Sequence, residues 1–140
     1  MRPSWDTYFM DMAYAASSRS TCDRKHVGVV IVKNRIVLAT GYNGSIRGQP
    51  HCSDVGHLLV NNHCVRTVHA ETNAIAQAAR NGAAIDGATL YTNTIPCWEC
   101  FRVLANTGIA SIIYDSDYGL DPQVKDTAEA LNLSLKKYVK

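Results

Sequence analysis

The chain has 140 residues, of which 46% are hydrophobic and 19% charged, and a formal net charge of +2. From this length we expect one domain over residues 1–140. The weak net charge argues against a general nucleic-acid binder. We recognise neither a signal peptide nor a membrane-spanning run in the sequence. Five cysteines, two of them in a C-x-x-C pair, are typical of metal ligands or free thiols and favour the reducing cytoplasm.

The first half of the chain predicts one helix and one β-hairpin. Aromatic and apolar residues recur at helical spacing over residues 5–16, with Ser4 as the N-cap. The β-branched runs 27–32 and 36–40 predict two strands joined by a tight turn. Residues 41–68 follow no clear pattern, and a connection of this length is usually functional.

The second half of the chain alternates helices with strands. The predicted helices cover residues 70–80, 97–106 and 121–131, and the predicted strands cover 88–92, 109–114 and 133–139. This alternation favours parallel strands joined by right-handed crossovers. We therefore predict an α/β domain of three layers, with a central mixed sheet of five strands between helices.

Two short motifs carry the chemistry of the chain: His69-Ala-Glu71 and Pro96-Cys97-Trp-Glu-Cys100. His69, Cys97 and Cys100 offer three ligands for a transition metal. A structural zinc site normally closes with four protein ligands, whereas a catalytic one keeps three and leaves a position for water. We place both motifs at the N-termini of helices that leave adjacent strands, where helix dipoles favour thiolates. The motifs therefore indicate zinc-dependent hydrolysis.

The C-x-x-C pair alone would fit a redox or structural pair equally well, with His69 as an ordinary core histidine. H-x-E together with P-C-x-x-C is the signature of the zinc nucleobase deaminases. In that chemistry Glu71 is the catalytic residue, which carries protons from water to N3 of the ring and to the departing amine.

Over essentially its whole length the chain resembles the deoxycytidylate (dCMP) deaminases of the cytidine and deoxycytidylate deaminase family. It is most similar to the short bacterial members encoded in late-competence operons. The matching segments lie in the family's order at residues 5–10, 19–22, 41–44, 63–71 and 96–100. The resemblance implies a cytidine-deaminase-like fold and the deamination of dCMP to dUMP, which feeds thymidylate synthesis. It also implies a hexamer that dCTP activates and dTTP inhibits.

Several substrate contacts follow from the same resemblance. Arg24, Arg66 and Tyr118 match family positions that bind the phosphate. Asn43 matches the asparagine that holds the deoxyribose and the base, and the glycines around it would let the backbone approach the ligand. The family usually has Val-Thr-His-Phe before Pro-Cys, whereas residues 92–95 read Thr-Asn-Thr-Ile. We expect this segment to line the base pocket.

A second metal is a further hypothesis. Some relatives carry a structural zinc, and positions matching Cys22 and Cys52 serve there. A four-ligand site would hold the irregular segment, residues 41–68, in place. Its ligands would be Cys22, Cys52, His57 and Cys64. Buried free cysteines with exposed histidines are an equally good interpretation.

The effector triphosphate is expected on residues 44–66, near Arg47, Asp54 and Arg66. This polar, glycine-containing segment joins directly to His69, so ordering it would reposition the metal ligands.

Two other functions remain open. A deaminase of bases in RNA or single-stranded DNA shares the zinc motifs, but the weak charge and the lack of a basic, aromatic-lined stripe disfavour it. A non-catalytic zinc module in DNA uptake would have no use for Glu71. We therefore expect a small nucleotide as partner rather than nucleic acid or a membrane.

Overall fold

The computed structural model describes residues 1–22 and 25–140, with the side chains of residues 63 and 64 left out. The helices are α1 (Trp5–Ser17), α2 (Cys52–Val55), α3 (Ala70–Arg80), α4 (Trp98–Asn106) and α5 (Pro122–Leu131). The strands are β1 (Gly28–Lys33), β2 (Ile36–Tyr42), β3 (Gly44–Ser45), β4 (Leu59–Val60), β5 (His63–Cys64), β6 (Thr67–Val68), β7 (Thr89–Thr94), β8 (Ser111–Ser116) and β9 (Ser134–Lys137).

The central sheet has five strands in the order β2-β1-β7-β8-β9. β1 is antiparallel to both β2 and β7, whereas β7, β8 and β9 run parallel. The predicted hairpin turn is present, with φ of 53° at Asn34 and 63° at Arg35, and such left-handed pairs suit the twist of two-residue hairpins. The predicted mixed sheet of five strands is confirmed.

Helices cover both faces of this sheet. Val29 and Ile31 of β1 pack into the core shared with α3, α4 and α5, whereas Val30 and Val32 pack against α1 on the opposite face. A strand buried on both faces reads as a continuous apolar run, which explains the sequence of β1. The three-layer architecture is therefore confirmed, with one helix on one face and three on the other.

Two of the main helices, α1 and α5, begin at residues whose side chains cap them. The Ser4 hydroxyl accepts from the Thr7 N–H at 3.1 Å, and the Asp121 carboxylate accepts from the Gln123 N–H at 2.8 Å. Both bonds satisfy amides that a helix N-terminus leaves without partners. No helix in the described part of the chain is long and apolar enough to cross a membrane.

Glycines let α1 and α3 approach the sheet closely. A Cβ at Gly28 would lie 2.0 Å from the Ala13 carbonyl oxygen of α1. A Cβ at Gly41 would lie 2.2 Å from the Ala70 carbonyl oxygen of α3. Gly41 therefore makes room for a helix, and the approach of the glycines of residues 41–44 to a ligand stays a prediction.

Candidate active site

Two helices begin next to each other and bring the predicted metal ligands together. His69 is the N-cap of α3, Cys97 is the N-cap of α4, and neither side chain makes a capping hydrogen bond. Cys100 lies in the first turn of α4. α4 follows β7 of the central sheet, but α3 follows β6, which pairs with β3 in a separate ribbon. The prediction that both helices leave adjacent strands of the sheet is wrong for α3.

The three donor atoms are spaced as a tetrahedral metal requires. His69 Nδ1 lies 3.3 Å from Cys100 Sγ and 3.6 Å from Cys97 Sγ. Zinc bonds of about 2.1 Å to nitrogen and 2.3 Å to sulfur place tetrahedral N and S ligands about 3.6 Å apart. Within the described part of the chain, no fourth His, Cys, Asp or Glu joins this group. The donor set therefore fits a zinc ion with an open position.

The donors also change one another's ionisation. Hydrogen bonding from Cys100, and then from His69, lowers the pKa of the Cys97 thiol. The hydrogen bond to Cys97, together with burial, raises the pKa of the Cys100 thiol. Chiefly because of its hydrogen bond with Cys97, the pKa of His69 is also raised. Cys97 is therefore the thiol that ionises first, as a metal ligand must.

Glu71 is a buried carboxyl beside the donors but outside their group. It lies in the first turn of α3 and is 5% exposed. Burial is the main cause that raises its pKa above the ordinary value. A carboxyl whose neutral form is favoured in this way is suited to accept and return protons.

One cavity of about 320 Å³ connects these groups. His69, Cys97 and Glu71 form part of its wall. Asn43 and Tyr118, both predicted to bind substrate, also line it. This volume lies in the range of small-molecule sites.

Asn43 is already engaged by the protein backbone. Its Oδ1 accepts from the Val27 N–H at 2.9 Å, and its Nδ2 donates to the Lys25 carbonyl at 2.6 Å. Tyr118 is different, because it is 81% exposed at the cavity wall. The amide of Asn43 thus shapes the wall at Lys25 and Val27, a role that the motif alone did not suggest.

Of the two predicted arginines, Arg66 alone falls within the described residues, and it does not line this cavity. Its Nε–H donates to the Gly56 carbonyl at 3.0 Å. Arg24 lies outside the described residues. Lys25, which the sequence analysis did not single out, does line the cavity. The one feature of the sequence that could have indicated Lys25 is its position between the predicted ligand Cys22 and the first strand.

The segment that departs from the family pattern contributes two of its four residues to the wall. Thr94 and Ile95 line the cavity. The Thr92 hydroxyl instead donates to the Thr94 carbonyl at 2.7 Å, and Asn93 bonds the backbone on either side of Val27. Of the segment that we expected to line the base pocket, the second half therefore lines this cavity and the first half does not.

A second group of donors lies beside the first cavity. The ligand atoms of Cys22, Cys52 and His57 lie within 4.8 Å of one another, and Cys22 Sγ is 3.7 Å from His57 Nδ1. Both cysteines are buried. Three of the four predicted residues thus come together, while the side chain of Cys64 lies outside the described part.

The predicted effector residues lie in α2 and on either side of it. Asp54 accepts from the His51 N–H at the start of this helix, and Arg66 donates to the Gly56 carbonyl at its end. Arg47 is exposed just before it. These contacts fix the ends of a four-residue helix.

Comparisons with known proteins extend these observations. Residues 3–116 match the family described as the cytidine and deoxycytidylate deaminase zinc-binding region. ComE operon protein 2 of Bacillus subtilis is 40% identical over 97% of this chain and 72% of its own length. The deoxycytidylate deaminase of Schizosaccharomyces pombe is 36% identical over 99% of this chain. The chain spans 45% of the length of that yeast protein.

A solved structure shows the same architecture. The dCMP deaminase of cyanophage S-TIM5, solved in complex with dCMP and dUMP, has a TM-score of 0.84 and 29% identity. The match covers 99% of each chain. The predicted cytidine-deaminase-like fold is therefore confirmed. Two of the three donors, His69 and Cys97, share one cavity with Glu71. With a family match over residues 3–116, the chain belongs to the cytidine and deoxycytidylate deaminase family.

Proposed function

We propose that this protein catalyses the hydrolytic deamination of dCMP, in which dCMP and water give dUMP and ammonia. The observation that carries the proposal is the group of three donors, His69, Cys97 and Cys100, two of which, His69 and Cys97, line one cavity with the buried Glu71. The relatives support the substrate, since the yeast protein is named a deoxycytidylate deaminase and the phage enzyme was solved with dCMP and dUMP.

The metal in this proposal is zinc, held by His69, Cys97 and Cys100. The spacing of the donors and the description of the family as a zinc-binding region support this assignment. Zinc bound there supplies an activated water, because coordination lowers the pKa of water to about 7.

Glu71 moves the protons of the reaction. Its carboxyl would accept the two protons of the attacking water one after the other, delivering the first to N3 of the cytosine ring and the second to the amine that leaves from C4. Its burial excludes bulk water from this exchange and strengthens the electrostatic interactions that accompany it. Thr94 and Ile95 on the cavity wall would pack against the base, and Asn43 and Tyr118 would contact the rest of the nucleotide.

Ammonia release from a panel of substrates tests the proposal. The panel contains dCMP, CMP, dCTP, deoxycytidine and a tRNA oligomer, each incubated with the zinc-loaded protein. We expect dCMP to have the highest kcat/KM. Preferential turnover of the oligomer would identify a nucleic-acid deaminase, and no ammonia from any substrate would favour the non-catalytic zinc module.

We also propose a second, structural zinc, which Cys22, Cys52, His57 and Cys64 would hold. The convergence of the first three donors supports it. A structural zinc closes with four protein ligands, so Cys64 completes the set. Such a site would stabilise residues 44–66, whose helix and strands are two to four residues long.

Assembly and regulation form a further part of the proposal. The protein would act as a homo-oligomer, a hexamer, activated by dCTP and inhibited by dTTP through Arg47, Asp54 and Arg66. Apolar side chains exposed on one segment support self-association, because exposed apolar patches mark interaction surfaces. These are Ile46, Val55, Leu58, Leu59, Val60 and Val65. The product dUMP would supply thymidylate synthesis.

A further inference from the structure

The predicted metal donors reach the site by two different routes. Cys97 and Cys100 stand at the start of α4, which follows β7 of the central sheet. His69 follows β6, which pairs with β3 in a separate two-stranded ribbon. The central sheet therefore places the two cysteines but does not by itself place the histidine. Another contact has to hold His69 at the distance from the cysteines that a shared ion requires.

The side chain of Asn73 makes that contact. Its Nδ2, which carries two hydrogens, donates to the Tyr42 carbonyl at 2.8 Å and to the Val68 carbonyl at 3.2 Å. Tyr42 is the last residue of β2 in the central sheet, and Val68 is the last residue of β6. One amide therefore joins the central sheet to the ribbon at the residue before His69.

Asn73 also holds the backbone on the other side of His69. The Asn73 backbone N–H donates to the His69 carbonyl at 2.9 Å. The carbonyls of Val68 and His69 belong to the two peptide groups that flank the His69 Cα, and each peptide group is planar. Holding both planes holds the backbone torsions of His69, which are φ −63° and ψ 150°. Because Nδ1 lies close to Cβ in the imidazole, its position depends strongly on this backbone.

The side chain of His69 does not secure its own backbone. An N-cap side chain usually accepts a hydrogen bond from an amide of the first turn. His69 makes no such bond, and its Nδ1 instead faces the sulfurs of Cys97 and Cys100. A side chain that belongs to the donor group is not available as a cap. The start of α3 therefore depends on the contacts of Asn73.

A second amide on α3 offers a matched comparison. Gln77 lies one turn further along the helix, and its Oε1 accepts from the Thr40 N–H of β2 at 2.8 Å. This contact also joins α3 to β2, but it is made to Thr40 rather than to the residues around His69. The general attachment of α3 to the sheet can thus be separated from the hold on His69.

We propose that Asn73 is a positioning residue of the metal site, whose amide sets where His69 presents Nδ1 to Cys97 and Cys100. This inference rests on the proposed function, because it takes the three donors to share a zinc ion. Groups that orient a metal ligand without binding the metal are typically worth about 10- to 100-fold in metal affinity or activity.

Paired alanine variants test the role of Asn73. Asn73→Ala and Gln77→Ala are compared with the wild type in thermal unfolding of the zinc-loaded protein, in zinc affinity against a competing chelator, and in the visible spectrum after loading with cobalt(II). We expect both variants to have a lower Tm. Asn73→Ala alone should weaken zinc binding, by roughly 10-fold or more. Its cobalt bands should also shift, since they depend on the geometry of the ligands.

A metal held at Cys22 and Cys52 would contribute equally to every variant, so the comparison with the wild type isolates the site at His69. The cobalt spectrum of Gln77→Ala should match that of the wild type. This readout separates a hold on the metal ligand from a loss of stability, because a looser helix attachment alone leaves the ligand geometry unchanged.

A second pair of variants separates hydrogen bonding from packing. Asn73→Asp keeps the shape of the side chain but replaces its donors with an acceptor, whereas Gln77→Glu keeps an oxygen that can accept from Thr40. A carboxylate near a helix N-terminus stabilises the helix, so Asn73→Asp tests the site even where Asn73→Ala does not fold. We expect Asn73→Asp to weaken zinc binding despite its added negative charge, and Gln77→Glu to resemble the wild type.

Zinc affinities and cobalt spectra of the Asn73 variants that match those of the Gln77 variants would overturn the inference. A wild type that binds no zinc at His69 would overturn it together with the zinc assignment. If the wild type binds zinc there but does not deaminate dCMP, the proposed reaction is wrong, while the zinc and cobalt measurements still decide the role of Asn73.

Discussion

At the scale of single residues, Glu71 has a combination of properties that its neighbours lack. It is as buried as a core residue, yet it borders the same cavity as His69 and Cys97, two of the predicted metal donors. Burial favours its neutral form, and its position in the first turn of α3 favours the charged form. A carboxyl subject to both effects can accept a proton and can also donate one.

We predict that Glu71→Gln retains zinc but lowers kcat for dCMP by about 10²- to 10⁴-fold, the usual effect of losing a general acid–base group. The glutamine preserves the shape of the side chain while removing its proton exchange. Zinc content and ammonia release are measured on the same preparation, with Glu129→Gln on the exposed face of α5 as control. A zinc-loaded Glu71→Gln protein with the wild-type rate would contradict the assigned role.

The sequence identified Glu71 by its spacing from His69, but it could not show what Asn43 does. The tetrapeptide at residues 41–44 matches a ligand-binding motif, whereas the structure uses the amide of Asn43 on two backbone groups. A buried amide has several donor and acceptor sites, and only the folded chain determines which groups reach them. The sequence did not indicate Lys25 for the same reason, because its neighbours in the chain do not show that it lines a cavity.

At the scale of elements, close contact between α3 and β2 positions His69, the predicted metal ligand at the start of that helix. Gly41 of β2 faces the first turns of α3, where an added Cβ would meet the Ala70 carbonyl at 2.2 Å and the Ala74 amide at 2.7 Å. Backbone atoms cannot move aside as a flexible side chain can. The contact with β2 therefore fixes how far α3 lies from the sheet, and with it the positions of His69 and Glu71.

Gly41→Ala is expected to destabilise the protein by roughly 1–3 kcal/mol, as overpacking does, and to lower activity by displacing α3. Gly44→Ala is the matched control, because its nearest contact would be a Tyr42 ring carbon at 3.3 Å. We expect less than half the loss there. Urea unfolding of the zinc-loaded variants gives both free energies, and equal losses would show that the close approach of α3 is not limiting.

The segment from β3 to β6 has little regular structure to hold it. Its two ribbons have strands of two residues, and α2 has four. Cys22 lines the cavity, and its sulfur lies within 4.8 Å of that of Cys52 in this segment. Both cysteines are buried. A metal ion at this point would replace the hydrophobic core that the segment lacks.

We predict two zinc ions per chain in the wild type and one in Cys52→Ser, with faster proteolysis of residues 44–66 in the variant. Serine lacks the thiolate that zinc requires, whereas the donors at His69 are left intact. Ser53→Ala, an exposed neighbour, is the control. Metal analysis that finds one zinc in the wild type would rule out the second site.

At the scale of the whole molecule, the cavity and the proposed effector segment are parts of one connected region. Thr67 of β6 lines the cavity, and this strand leads directly into His69. The exposed apolar residues of the same segment would lie at contacts between copies in an oligomer. A nucleotide that orders this segment could therefore change the affinity of the cavity.

Kinetics at varied dCMP concentration test this coupling. We predict a sigmoidal rate curve that becomes hyperbolic when dCTP is added, and a lower rate when dTTP is added, since effector and substrate affinities are reciprocally linked. dGTP at the same concentration is the control nucleotide. Hyperbolic curves that neither effector changes would indicate an unregulated enzyme.

The sequence by itself determined the order of the main elements, the three-layer fold, and the candidate metal donors with the acid beside them. These features depend on local periodicity, caps and short spacings, which are properties of neighbouring residues. The tertiary structure alone decided that α3 starts from a ribbon outside the main sheet, that Asn43 and Asn93 hold residues 25–28, and that Lys25 borders the cavity. These contacts join residues 18 to 67 positions apart, and such pairings arise from packing rather than from local pattern.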